Sequence, residues 1–159
     1  MRLYTSYFYQ IRFFEPNMIP VSTAIWDPKW FHDFQGARHI YVDKRGVING
    51  VRAEALRPGP GLEGTCAGRE GHAPWCEHDP SKCSFLRGYM AQLIKLDCND
   101  YARRLENLGI KLKRLAGFRG EPVIVLIVYE SPSNPCSERA TLQRWFSMYG
   151  HEISEWKRN

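Results

Sequence analysis

Residues 123–129 read VIVLIVY, with Pro122 before them and a Pro/Ser loop, ESPSNPCSER, after them. The run is dominated by β-branched residues, is too short for a free-standing helix and shows no polar alternation. It therefore predicts a central parallel strand buried on both faces. Such a strand needs helices against it, and the flanking sequence supplies them.

Phe85, Leu86, Tyr89, Met90, Leu93 and Ile94 recur at the spacing of one helical face, with Ser81 or Ser84 placed to cap it. Tyr101, Leu105, Leu108, Leu112 and Leu115 continue a second stripe that Asp97 or Asn99 can cap, with Gly109 a point where it breaks or ends and Gly117 and Gly120 its stop. A third helix carries Leu142, Trp145, Phe146 and Tyr149 on its buried side and ends at Gly150. Strands are expected in RLYTSYF and MIPVSTAIW near the start and in EISEW near the end. A small hairpin is expected where HIYV and VI flank Asp43, Lys44, Arg45 and Gly46. The whole predicts an α/β fold: three layers, a mostly parallel sheet flanked by helices, with an irregular insertion in the middle.

At 159 residues, with 43% hydrophobic and 25% charged, the chain is expected to form one domain over 1–159. No stretch approaches the roughly 18 apolar residues of a membrane span, and Arg2, Arg12 and Glu15 stand where a signal peptide would be apolar, so the expected location is cytoplasmic, with no membrane partner. In that reducing setting five cysteines, an odd number, argue against a disulfide framework and for metal binding or thiol chemistry. The net charge of +5 favours an anionic partner, a nucleotide or nucleic acid.

Three of the cysteines fall in CAGREGHAPWCEHDPSKC, inside an expected metal-binding loop at 61–84. Cys66, Cys76 and Cys83, with His72 or His78 as fourth ligand, form a candidate zinc site, since a loop of glycine, proline and charge has little apolar surface to order it otherwise. No CxxC pair is present, so a flexible loop with reduced thiols is the plain alternative. Recruiting Cys136 or Cys98 would instead give an all-thiolate site able to hold zinc or an iron-sulfur cluster.

Ligands of open α/β sheets bind beyond the carboxyl ends of the strands. The loop after the central strand is therefore the expected catalytic edge, with Glu130 as general base, Arg139 as anion clamp, and Cys136, Ser137 and Glu138 at a helix start capped by Ser137 or Asn134. Tyr4, Thr5, Ser6 and Tyr7, after the first strand, would line the ligand site. The plainer account has these residues start a helix, with Cys136 filling space and Glu138 favouring its first turn.

The opening LYTSYF with IPVSTAIWDPKWF, and the closing VLIVYESPSNPCSERATLQRWFSMYGHEISEW, resemble the uncharacterised YeaO-like family, domain of unknown function 488, in its short bacterial and phage branch. The resemblance implies an α/β fold without an assigned reaction. Tyr129 and Glu130 match the family's strand end and Arg139 its arginine. Aligned back from Trp145, Ser137 stands where the family carries cysteine and Glu138 where it carries histidine, with Cys136 one place earlier.

Arg103, Arg104, Lys111, Lys113 and Arg114 concentrate positive charge on the second helix, either as a phosphate-contacting face or as an ordinary solvated one. Tyr4, Tyr7, Phe8, Tyr9, Trp26, Trp30 and Phe31 are either core or base-stacking residues. Two function classes follow. One is an enzyme or binder acting on a nucleotide or nucleic-acid phosphate at the carboxyl edge of the sheet. The other is a non-catalytic, zinc-stabilised module that binds nucleic acid or a host protein. No HxE zinc-water motif, phosphate-cradling glycine loop or GxSxG elbow is present.

Overall fold

A computed structural model describes residues 1–32, 40–62, 79–134 and 136–158. The chain forms β1 (Arg2–Tyr7), a 3-10 helix (Phe8–Phe13), β2 (Met18–Ser22), a hairpin of β3 (Tyr41–Val42) and β4 (Ile48–Asn49), and β5 (Val51–Arg52). The rest is α1 (Ser84–Ile94), α2 (Cys98–Ala116), β6 (Val123–Val128), α3 (Arg139–Met148) and β7 (Ser154–Glu155). Five strands make one wholly parallel sheet in the order β5-β2-β6-β1-β7, and β3 and β4 pair separately and antiparallel.

Every residue of β6 is buried, as its unbroken apolar run requires. Alternate side chains serve two cores. Leu3, Ile19, Val21, Ile124 and Leu126 face α1, α2 and α3, while Val123, Val125 and Ile127 face the 3-10 helix, Phe31 and Val47. The protein is thus a three-layer α/β fold, with the long helices on one side of the sheet and the 3-10 segment and its loops on the other.

The connections explain this asymmetry. From β1 the chain crosses to β2 past β6 on the 3-10 side, and from β6 it crosses to β7 past β1 on the α3 side. Crossovers in opposite directions must lie on opposite faces if both are right-handed. The crevice between the carboxyl ends of β1 and β6, where the chain departs to both faces, is the topological switch point of the sheet.

Local chemistry sets the helix ends. Asp97 caps α2 by accepting a hydrogen bond from the Asp100 N–H at 3.0 Å, and Gly117, at φ 72°, ends it with its N–H on the Lys113 carbonyl. Gly109 does not interrupt α2, contrary to expectation. It is the point where the helix crosses Pro122, and an added Cβ would come within 3.0 Å of that ring. Neither Ser81 nor Ser84 caps α1. Cys83 holds the N-cap position, with no side-chain capping bond. Three stripe residues lie further out than their spacing suggests, Ile94, Leu115 and Tyr149 all being exposed. The expected hairpin is present, and Asp43 organises its turn by accepting from the Arg45 and Val47 N–H groups. β5 is an addition, since two residues are too few to show a pattern.

Candidate functional site

At the carboxyl edge, Tyr7 ends β1, Ser22 ends β2, Arg52 ends β5 and Val128 ends β6. Tyr4, Thr5, Ser6 and Tyr7 all belong to β1 itself, and the strand's pleat sorts them. Tyr4 does not reach this edge: it lines a cleft at the amino edge with Arg2 and Val123. Thr5 is fully buried on the helical side. Its hydroxyl donates to Glu155 Oε2 at 2.6 Å and accepts from Gln143 Nε2 at 2.6 Å. Ser6 points to the other face, where its hydroxyl is buried with no hydrogen-bond partner among the described residues. Tyr7 lies under the Arg139 guanidinium, 5.8 Å from its ring centre.

The loop after β6 folds back on the crevice. The N-cap of α3 is Glu138, so Arg139 is the first helical residue and not one turn in, and Cys136 lies two residues before the cap. Asn134 and Ser137 do not cap the helix. They hold the turn ahead of it, Asn134 Oδ1 accepting from the Cys136 N–H at 3.0 Å and Ser137 Oγ from the Arg139 N–H at 3.3 Å. Cys136 is buried and carries no disulfide.

Arg139 turns inward. Its Nε donates to Glu155 Oε2 at 2.9 Å, Nη2 to the Glu130 carbonyl at 2.8 Å and Nη1 to Ser137 Oγ at 3.4 Å. Its side chain is only 8% exposed and that of Glu155 16%. Charge that the sequence offered to a ligand is thereby committed to joining α3, β7, β1 and the loop. Arg139 is a positioning residue; sequence reasoning missed both its partner Glu155 and Gln143, which joins the same network through Thr5. The one available signal was Glu155 itself, an acid set between Ile153 and Trp156 in the expected last strand.

Glu138 is buried, 4% exposed, directly beside Glu130. Burial raises its carboxyl most, and the Glu130 charge and a hydrogen bond between the two carboxyls raise it further. The backbone and the Arg139 charge offset this only in part, leaving it at about 8. Glu130 Oε2 also accepts from Ser137 Oγ at 3.3 Å. A buried carboxyl raised in this way can release or accept a proton near neutral pH.

Of the expected metal ligands, Cys66, His72, Cys76 and His78 lie outside the described residues. Cys83 lies within them, buried against Ile25, Phe85 and Leu86. Among the described residues no group of three or more histidine, cysteine or acidic side chains is arranged to hold a metal ion. Cys98, also buried and without a disulfide, is raised to about 11 chiefly by burial and then by Asp97, as befits a packing thiol. On α2, Arg103 and Arg104 both pair with Asp100, and Lys113 bonds the Gly120 carbonyl at 2.8 Å, so part of that charge serves the helix and its end. No described helix is long and apolar enough to cross a membrane. Compared with protein-family models, curated proteins and solved structures, the chain matches none.

Proposed function

We propose that the protein is an enzyme performing acid–base chemistry on an anionic ligand of the nucleotide or nucleic-acid class, bound in the crevice between the carboxyl ends of β1 and β6. The observation that carries the reading is the buried Glu138 carboxyl set beside Glu130 at the sheet's switch point. Glu130, half-buried, faces the crevice as general base. Glu138, behind it, has its carboxyl raised by burial and by the neighbouring Glu130 charge. Arg139 fixes the loop that presents them. The resemblance to the YeaO-like family agrees in one respect, since it implies a histidine, another group that titrates near neutrality, at the position of Glu138.

The test is hydrolysis of a panel of nucleoside phosphates and short oligonucleotides. Turnover is expected, with Glu130→Gln lowering kcat by about 10²- to 10⁴-fold. Activity should also fall in alkali as Glu138 loses its proton and the loop that presents Glu130 is strained by two buried charges. An inactive panel, or turnover unchanged in Glu130→Gln, overturns the reading.

Structural zinc held by Cys66, Cys76 and Cys83 with His72 or His78 is proposed alongside it, supported by the anchoring of Cys83 at the N-cap of α1. Elemental analysis of protein purified without added metal should find about one equivalent of zinc. Less than a tenth of an equivalent of zinc and of iron eliminates both metal versions.

A further inference from the structure

The amino edge of the sheet, at the end opposite to the Glu130 crevice, holds a cleft of about 380 Å³. Its base lies where Arg2 opens β1, Met18 opens β2 and Val123 opens β6, three strands that stand side by side in the sheet. Phe13, the last residue of the 3-10 helix, forms one wall, and the segment after β7 forms another. Aromatic contacts hold that segment in place. Trp156 meets Phe14 edge-on at 5.0 Å, and the Arg158 guanidinium lies over the Phe13 ring, 4.0 Å from its centre. Residues from the two ends of the chain thus converge on one cavity.

Arg2, Lys157 and Arg158 bring three cations to this cleft, and Glu15 is its single acid. Among the described residues none of these four side chains forms an ion pair or a hydrogen bond. Arg158 covers Phe13 with the face of its guanidinium, which leaves the N–H edge unengaged. The half-buried Tyr4 phenol also lines the cleft and has no hydrogen-bond partner among the described residues. On a convex helix face such cations are solvated one by one. In a concavity with aromatic walls their fields add and act on whatever enters.

The balance of three cations and one acid suits an occupant with about two negative charges, and a guanidinium edge matches the oxygen spacing of a phosphoryl group better than it matches a halide or a lone hydroxyl. The volume is at the small end of the range for ligand sites and suits a small molecule. We propose that the amino-edge cleft binds a phosphorylated small molecule, with its phosphoryl dianion among Arg2, Lys157 and Arg158 and its remainder against Tyr4 and Trp156. The cleft shares no residue with the Glu130 crevice, so this site stands apart from the enzyme reading.

Free phosphate and a phosphate ester offer the same dianion, and isothermal titration calorimetry of the full chain with inorganic phosphate and with adenosine monophosphate tells them apart. At least one is expected to bind. Arg2→Gln, Lys157→Gln and Arg158→Gln should each weaken it about ten-fold, and Arg158→Lys should recover part of that loss. Glu15→Gln, which removes the opposing charge, should tighten binding. All four side chains are exposed, so these variants keep the fold. A ten-fold or larger preference for the nucleotide, on the order of 1.4 kcal/mol, assigns the site to a ring-bearing ester, and equal affinities assign it to the phosphoryl group alone. Absence of binding by either probe at about 10 mM overturns the proposal. So does acetate binding as tightly as phosphate, or affinity untouched by the three substitutions to glutamine. Phosphate binding that Glu130→Gln removes also overturns it, because the ligand then sits at the other end of the sheet. Arg158-dependent binding in a protein that turns over no nucleotide sinks the enzyme reading and leaves this site standing.

Discussion

Between about pH 5 and pH 8 the folded protein is expected to lose up to about 5 kcal/mol of stability, and Glu138→Gln to lose almost none of it. Unfolded, Glu138 gives up its proton near its ordinary value of 4.5, whereas folded it holds it to about 8. Across that interval the native state binds more protons than the unfolded chain, so stability falls as pH rises, by about 1.4 kcal/mol per pH unit at most. The groups that act on Glu138 set the size of the effect. Glu130 is the repelling charge, Arg139 a partial compensation, and the buried Tyr89 of α1 lies close enough that Glu138 helps to raise its phenol. The opposite behaviour belongs to Asp43, where burial is outweighed by bonds from the Val47 and Arg45 N–H groups and the Arg45 side chain. Its carboxyl is held low, and its contribution is lost only in acid. Urea unfolding at a series of pH values measures the slope. A flat profile from pH 5 to 8, or the same slope in Glu138→Gln, would show that Glu138 does not hold its proton in the folded state.

Glu155→Ala is expected to cost about 3–5 kcal/mol, because it leaves the Arg139 guanidinium buried without its carboxylate. Thr5 loses its acceptor in the same step, and with it a side-chain tie between β7 and β1. Replacing both partners, as Arg139→Met with Glu155→Leu, should recover most of the loss, since no buried charge then remains. Urea midpoints for the two single variants and the double variant give the coupling between the residues. A loss below about 1 kcal/mol in Glu155→Ala would mean that water reaches Arg139 and that the loop is held by other contacts.

The fold was legible wherever one physical demand covered many consecutive residues. Residues 123–128 had to be buried on both faces, and the 19-residue α2 carried its apolar stripe, its Asp97 cap and its Gly117 stop. β5 and β7, at two residues each, were too short for any pattern to accumulate, although the reading of EISEW as a strand did place Glu155 at the sheet. The site was legible as a place and much less as a set of roles. Parallel strands put the ends of β1 and β6 together, so Glu130 and its loop stand at the carboxyl edge, where the strand's length and direction put them. What Arg139 does depends on Glu155, sixteen residues away, and on Thr5, 150 residues from Glu155, and no local spacing records such a pairing. Glu138 was read as an acid suited to the start of a helix. Its raised carboxyl comes from burial and from Glu130 beside it, which only the folded loop brings about. Trp26 and Phe31 look alike in sequence, yet one faces out and the other in, because the turn after Ser22 is set by the pairing of Asp27 with Ser22 and Arg52.

The strand order also imposes a timetable on a chain made from its amino end. β1 and β2 are each hydrogen-bonded to β6 and not to one another. Until residues 123–128 have emerged from the ribosome, neither has that partner, and the apolar side chains of both strands stay uncovered on a growing polypeptide. Closing the main sheet is therefore a late, long-range event, slow by its topology, and a chain halted before Val123 is left as a sticky fragment.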